Sequence, residues 1–369
     1  MMTKNPMQLK AFIKNKAAEK HISAQLVMQN YMLERLLERI SLSPYKNNFI
    51  LKGGFLISAI VGLDTRATMD LDTTIKGFTL THEAIRKIFT EICAVQIADD
   101  VQFEVVGISD IRETDDYPGI RVALKANYPP ISVPLTVDVT TGDMITPREV
   151  EYTFSLLFDD RTISILAYNL ETVLAEKLET VLSRNIANTR PRDYYDVHIL
   201  YALRGADCDK ATLRRALEQT TQKRGSGMIL TDYPEIMKEI RGSDTLRKLW
   251  EKYSREYEYA KDISFDDTCN TIGDNQISPD EGSEEVIDIC FSNGDENTTS
   301  GYIKLTVGYL NFDEDGGAAD GISDEVEYEY HDILKELDNF IYAQNCLIEK
   351  DTRIAEIISE AIKTNGDNT

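Results

Sequence analysis

Residues 48–75 read NFILKGGFLISAIVGLDTRATMDLDTTI, and the order of residue types in this stretch decides the fold. NFILK is short and apolar, as a strand is. The glycines 53 and 54 break it, and FLISAIVG, apolar throughout, reads as a buried helix. ATMDLDTTI then alternates with the period of two that a strand requires. Strand, glycine turn, helix and strand in succession place a sheet with a helix against it at the front of the chain.

Two like charges end that stretch. In a strand, Asp70 and Asp72 project to one side while Leu71 faces the core. Ionised carboxylates side by side repel unless a cation or a shared proton relieves them. Asp also favours turns and strand ends, so the pair alone does not decide its role. A second signal comes from LTVDVTTGD, where Asp138 sits inside a β-branched run although Asp is a poor strand former. Brought to an adjacent strand, it is a third carboxylate for an oxygen site of the kind Mg²⁺ occupies together with substrate phosphates.

Gly53 and Gly54 let backbone N–H groups approach a phosphate at a helix N-terminus, and Lys52 adds a positive charge there. A bare Gly-Gly serves a tight turn equally well. With aspartates sixteen residues beyond Gly54, the combination reads as a nucleotide and its metal.

Downstream of that core, HEAIRKIFTEICA is an amphipathic helix, and VQFEVVGIS, GIRVALKANY, ISVPLTVDVTTG and RTISIL are strand-like. Upstream, ISAQLVMQNYMLERLLERI carries Leu26, Leu33, Leu37 and Ile40 at helical spacing behind a Ser23 cap. From residue 169 the pattern is helical to about residue 264. The expected organisation is an N-terminal helical segment over 1–45, a sheet domain over 46–168 and a helical domain over 169–265. A linker over 266–282 and an acidic extension over 283–369 follow. Within the extension, EEVIDICF and YIKLTVGYLNF read as strands, DEDGGAADGISDE as a disordered loop, and EYEYHDILKELDNFIYAQNCLIEK and DTRIAEIISEAI as helices.

Two helical segments carry cations with carboxylates. In ETVLAEKLETVL, Lys177 interrupts the apolar stripe formed by Leu174, Leu178 and Val181. It is either a stripe-edge lysine that snorkels to water or a cation awaiting an anion. RPRDYYDVHIL places Arg190 and Arg192 beside Asp193 and Asp196, which lie three apart on one helix face. An Asp in the first helical turn is also what the helix dipole favours, while two arginines flanking a proline point to phosphate.

The net charge of −23 is unevenly spread: residues 266–369 hold 26 Asp and Glu against 5 Lys and Arg, which leaves only −2 for residues 1–265. A nearly neutral body can bind nucleic acid through a local basic patch, whereas phosphate repels the tail. Five dispersed cysteines suggest free thiols in a reducing cytoplasm. The N-terminus lacks the apolar core of a signal peptide, FLISAIVGL is far too short for a bilayer, and no membrane partner is expected. The four histidines form no zinc-type cluster, and the sequence has neither a G-x-x-x-x-G-K-[ST] loop nor a G-x-S-x-G elbow. Metallohydrolase, P-loop NTPase and serine hydrolase readings are thereby disfavoured.

Four motifs in order resemble the AbiEii/AbiGii abortive-infection toxins, a family of nucleotidyltransferases. They are Gly53-Gly54 with Arg66-x-Thr68-x-Asp70-x-Asp72; Asp138-x-x-x-Gly142-Asp143; Glu171-x-x-x-Ala175-x-Lys177; and Arg190-x-Arg192-Asp193-Tyr194-x-Asp196. The resemblance covers roughly residues 20–265. It implies an α+β, DNA-polymerase-β-like nucleotidyltransferase fold, a mixed sheet with flanking helices, followed by a helical domain. It further implies the toxin of an antiphage toxin–antitoxin system whose antitoxin is encoded by a neighbouring gene. Asp70, Asp72 and Asp138 then hold metal, two Mg²⁺ or Mn²⁺ ions. Lys52, Gly53, Gly54, Arg66, Thr68, Lys177, Arg190 and Arg192 face the nucleotide, and Lys177 and Asp193 support catalysis. The expected reaction moves NMP from an NTP to an acceptor, with an RNA or tRNA 3′ end favoured. A catalytically silent nucleotide-binding regulator, and a toxin autoinhibited by its acidic tail, remain as alternatives.

Overall fold

The structure, a computed structural model, describes residues 5–66, 68–111 and 119–274, and beyond them the backbone of strands at 283–292, 302–312, 318–319 and 323–329. Residues 1–277 form one compact unit and residues 278–369 a second.

The chain begins with α1 (Pro6–Glu19) and α2 (Ala24–Leu42), capped by Asn5 and Ser23, whose side chains accept from the backbone N–H of Gln8 and Leu26. Then follow β1 (Phe49–Lys52), α3 (Gly53–Val61), β2 (Leu71–Ile75), α4 (His82–Ala94), β3 (Gln102–Asp110), β4 (Gly119–Tyr128), β5 (Ile131–Thr141), β6 (Val150–Ser155) and β7 (Thr162–Ala167). The seven strands make one mixed sheet in the order β3-β4-β5-β2-β1-β7-β6. The pairs β2–β5 and β1–β7 are parallel and the others antiparallel. Helix α2 packs on β5, β7 and α4, which itself lies against β3.

Alternation along β5 sets which side chains reach the functional face. Ile131, Val133, Leu135, Val137 and Val139 are buried, so the intervening Asp138 lies on the other side of the sheet. Strand β6 was not anticipated. Its sequence, VEYTFS, is polar because it is an edge strand bonded only to β7 and buries little of itself.

Five further helices follow: α5 (Leu170–Arg184), α6 (Pro191–Arg204), α7 (Lys210–Arg224), α8 (Ile229–Gly242) and α9 (Asp244–Glu256). The hydrophobic core is continuous from the sheet into these helices. The stretch expected as a linker from residue 266 instead begins as a helix, α10 (Phe265–Asp274). The reason is local and tertiary together. Ser264 and Asp267 cap its start reciprocally, and Phe265, Cys269 and Ile272, at i, i+4 and i+7, are all buried.

In the second unit the two expected strands are present as β8 (Ser283–Ser292) and β9 (Tyr302–Phe312), paired antiparallel. The expected disordered loop contains β10 (Ala318–Ala319) and the start of β11 (Ser323–Glu329), both paired with β9. Strand β11 also claims EYE, where a helix was expected, because SDEVEYE alternates with period two. The rest of that helix and the one after it lie outside the described residues.

Among the described residues, no helix is long and apolar enough to cross a membrane. Cys93, Cys208 and Cys269 are free thiols.

Candidate active site

The site starts where β1 runs into α3. Lys52 caps the helix in extended conformation, and Gly53 follows with φ +66°, a left-handed value that L side chains rarely adopt. A Cβ on Gly53 would lie 2.7 Å from both Cβ and Cγ of Asp72. Only glycine lets the turn pass so close to that carboxylate. At Gly54 a Cβ would lie 3.1 Å from Arg66 Nη2 and from Thr68 Oγ1.

Strand pairing then assembles a row of charge. Lys52 on β1 pairs with Asp72 on β2, Asp72 with Asp138 on β5, and Asp138 with Arg121 on β4. Residues opposite one another in adjacent strands project to one face, so the row reads plus, minus, minus, plus. Arg121 grips Asp138 in a two-pronged pair, Nε to Oδ1 at 2.8 Å and Nη2 to Oδ2 at 2.7 Å. Asp70, exposed just before β2, acts electrostatically on both Asp72 and Arg121, which places it beside the row.

Burial, and then the like charges of Asp138 and Asp70, hold the Asp72 carboxyl above the usual carboxylate range, against the pull of Lys52 and Lys177. Lys52 bonds Asp143 Oδ2 at 2.5 Å and sits 5.8 Å from the Tyr168 ring centroid. Burial lowers the Lys52 pKa, but Glu176, Asp143 and Asp72 outweigh it, and Lys52 stays charged. Burial likewise opposes the Asp143 charge, yet Lys52 and Thr140 bring its carboxyl below the ordinary range.

Behind the row lies a buried network. Asp196 of α6 receives Arg66 Nε at 2.5 Å and Nη2 at 3.2 Å on one side and Lys177 Nζ at 2.8 Å on the other. Lys177 also reaches Asp193 Oδ1 at 3.0 Å. Burial penalises the Asp196 charge, but Lys177 and Arg66 overcome it and bring the pKa down to about 2. Arg66, expected to face the nucleotide, is 1% exposed and spent on Asp196. It ties the segment between α3 and β2 to α6, as does the hydrogen bond from the Tyr195 hydroxyl to the Thr65 carbonyl. Thr68 is buried beneath the glycine turn, its carbonyl accepting from Asn30 Nδ2 at 2.7 Å. Lys177 answers the question its stripe raised: it meets two carboxylates, at 19% exposure, and acts electrostatically on Asp72. Arg190 and Arg192 are exposed at the start of α6, and among the described residues neither is in an ion pair.

Arg121, Glu176 and Tyr168 escaped the sequence reading. Arg121 was within reach of it: β4 and β5 form a hairpin around Pro129-Pro130, with Tyr128 opposite Ile131, so counting back along the register puts Arg121 opposite Asp138. Glu176 on α5 and Tyr168, directly after β7, reach Lys52 only through the tertiary fold, which no local spacing reveals.

Among the described residues, no three His, Cys, Asp or Glu side chains are arranged as a metal cage. Both oxygens of Asp138 are on Arg121. The donor set nevertheless suits a hard cation: carboxylate oxygens only, two of them on adjacent strands with their like charges partly uncompensated.

Residues 35–271 match the family model for the nucleotidyl transferase AbiEii toxin of type IV toxin–antitoxin systems, and the chain belongs to that family. The mixed sheet with flanking helices is the nucleotidyltransferase fold expected from the motifs. The protein is similar to two Helicobacter pylori crystal structures. One is provisionally assigned as a nucleotidyltransferase (15% identity, 69% of this chain and 96% of that one, TM-score 0.38). The other is JHP933 (15% identity, 69% and 92%, TM-score 0.37). No curated protein matches the sequence.

Proposed function

We propose that this family member is a cytoplasmic, metal-dependent nucleotidyltransferase that moves NMP from an NTP to the 3′ hydroxyl of an RNA, with tRNA the favoured acceptor, and that an antitoxin encoded nearby restrains it. The observation that carries the reading is the in-register pair Asp72 and Asp138, with Asp70 beside it and the Lys52–Gly54 turn against it.

In this reading Asp70, Asp72 and Asp138 hold Mg²⁺ or Mn²⁺, which when bound offsets charge on the α-phosphate and the oxygens entering and leaving it. The backbone N–H groups at the start of α3 face the triphosphate. Lys177 holds the charge balance between the aspartate row and Asp193 and Asp196, while exposed Arg190 and Arg192 offer guanidinium groups to phosphates. The acceptor oxygen bonds to the α-phosphorus, the α–β bridging bond breaks, pyrophosphate leaves, and the hydroxyl proton passes to a carboxylate of the row, with Asp138 the candidate base. Catalysis rests on positioning and preorganised charge. Arg66 acts at a distance, by fixing α6 against the segment that carries Asp70.

The test is transfer of labelled nucleotide, with each of the four NTPs, to fractionated cellular RNA by the wild type and by Asp70→Asn. Undiminished transfer by a variant that circular dichroism shows to be folded would end the proposal.

A further inference from the structure

Asp138 is the carboxylate of the row that is fully engaged. Arg121 covers both its oxygens, and the two partners differ in exposure: the Asp138 side chain is 16% exposed and that of Arg121 50%. The guanidinium thus closes the row from the solvent side. Among the described residues Asp138 is its only ion-pair partner, so a long, half-exposed side chain is held at its tip by one carboxylate. At the other end of the row, Lys52 is tethered differently, 13% exposed and bonded to Asp143. One terminal cation is bonded to a carboxylate outside the row and the other to a carboxylate of the row itself.

We propose that Arg121 is the resident counter-ion of Asp138 and must leave before a divalent cation can enter, so that this arginine sets the cation affinity of the site. The proposal rests on the reading of Asp72 and Asp138 as cation ligands given above. Guanidinium and divalent cation compete for the same two oxygens and cannot share them. With Arg121 in place, a guanidinium sits against the Asp138 carboxylate beside Asp72, so a cation is already present at the row without metal. When Arg121 departs, two adjacent carboxylates face each other with Lys52 opposite Asp72 at the other end of the row, and the attraction for a cation rises. Arg121 is a positioning residue in this scheme, acting through Asp138.

The experiment is titration of the full-length protein with Mn²⁺, free ion being followed by electron paramagnetic resonance. It compares the wild type with Arg121→Gln, Arg121→Lys and Asp138→Asn, each checked for a native circular dichroism spectrum. Removing a bidentate but half-exposed partner should tighten Mn²⁺ binding by about fivefold to tenfold in Arg121→Gln. Arg121→Lys, which keeps the charge but cannot bridge both oxygens, should fall between it and the wild type, and serves alone should the glutamine variant not fold. Asp138→Asn should bind most weakly. Unchanged or weaker binding in Arg121→Gln, with Asp138→Asn still impaired, overturns the role of Arg121 and leaves the cation site standing. Binding by Asp138→Asn equal to the wild type, or no binding by any of the four proteins, overturns the cation reading and this inference with it.

Discussion

Asp72 and Asp138 sit directly opposite one another on the parallel strands β2 and β5, two carboxylates at one register position in the middle of a seven-stranded sheet. Opposite pairs of like charge destabilise a sheet. The protein sets Lys52 and Arg121 at the flanking register positions and still leaves the Asp72 carboxyl above its ordinary range.

Because burial and like charge disfavour ionised Asp72, the isosteric Asp72→Asn removes an unfavourable charge. The variant should melt at the wild-type temperature or above it in a calorimetric scan. Transfer of labelled nucleotide should fall by roughly 100-fold or more, as for the loss of a preorganised electrostatic group. A variant both less stable and fully active would contradict the role given to Asp72.

Gly53→Ala meets two obstacles: a left-handed backbone at φ +66° and the Asp72 side chain, whose Cβ and Cγ lie 2.7 Å from the new Cβ and whose Oδ2 is nearer still. Strain of this kind costs about 1–3 kcal/mol. Chemical denaturation should register that loss, and transfer should drop because Asp72 is pushed aside. Gly54→Ala, at 3.1 Å from two side-chain atoms and with ordinary φ, should cost less on both counts.

Asp196 stabilises through its pairing with Arg66 and Lys177, and its folded pKa of about 2 lies below the ordinary value of 3.8. Its contribution is therefore complete above pH 3.8 and disappears as pH falls towards about 2. Asp196→Asn removes the buried carboxylate that Arg66 and Lys177 share and should lose about 3–5 kcal/mol at neutral pH. Denaturant curves between pH 2 and 7 should show the wild-type advantage shrinking towards the acid end.

Glu34 behaves in the opposite sense. Burial pushes its carboxyl up to about 7, although Arg35 and the Leu157 N–H, at 2.6 Å each, favour the charge. A raised acid pKa favours the fold fully below the ordinary value of 4.5 and loses that benefit as pH rises through about 7. Relative to Glu34→Gln, the wild type should lose up to about 3 kcal/mol over that window, measured by urea unfolding at stepped pH. A difference between the two proteins that does not vary with pH would refute the assignment.

Most elements were legible because their signals are local. The Ser23 cap, the i, i+4, i+7 stripe of α5 and the alternation of ISVPLTVDVTT belong to single segments. Strand β6 was not legible, since an edge strand needs little apolar surface, nor was α10, whose apolar residues matter only once α6, α8 and α9 are there to cover them. The pairing of Arg66 with Asp196 was hidden for a similar reason. An arginine beside an Asp-x-Asp motif looks like a phosphate contact until the fold brings Asp196, 130 residues away, to its guanidinium.

By itself the sequence determined which residues carry charge, where the chain turns and which side of each strand is apolar, because propensity and periodicity act over a few residues. It thereby put Asp72 next to a core-facing Leu71 on a strand, with Asp70 just ahead of it, and Gly53 at a bend. The tertiary structure alone decided which charges meet. Strand order and register join Lys52, Asp72, Asp138 and Arg121 into one row, and helix packing turns Arg66 and Lys177 onto Asp196. Coulomb interactions depend on distance in space, and distance in space is set by how the sheet and helices pack.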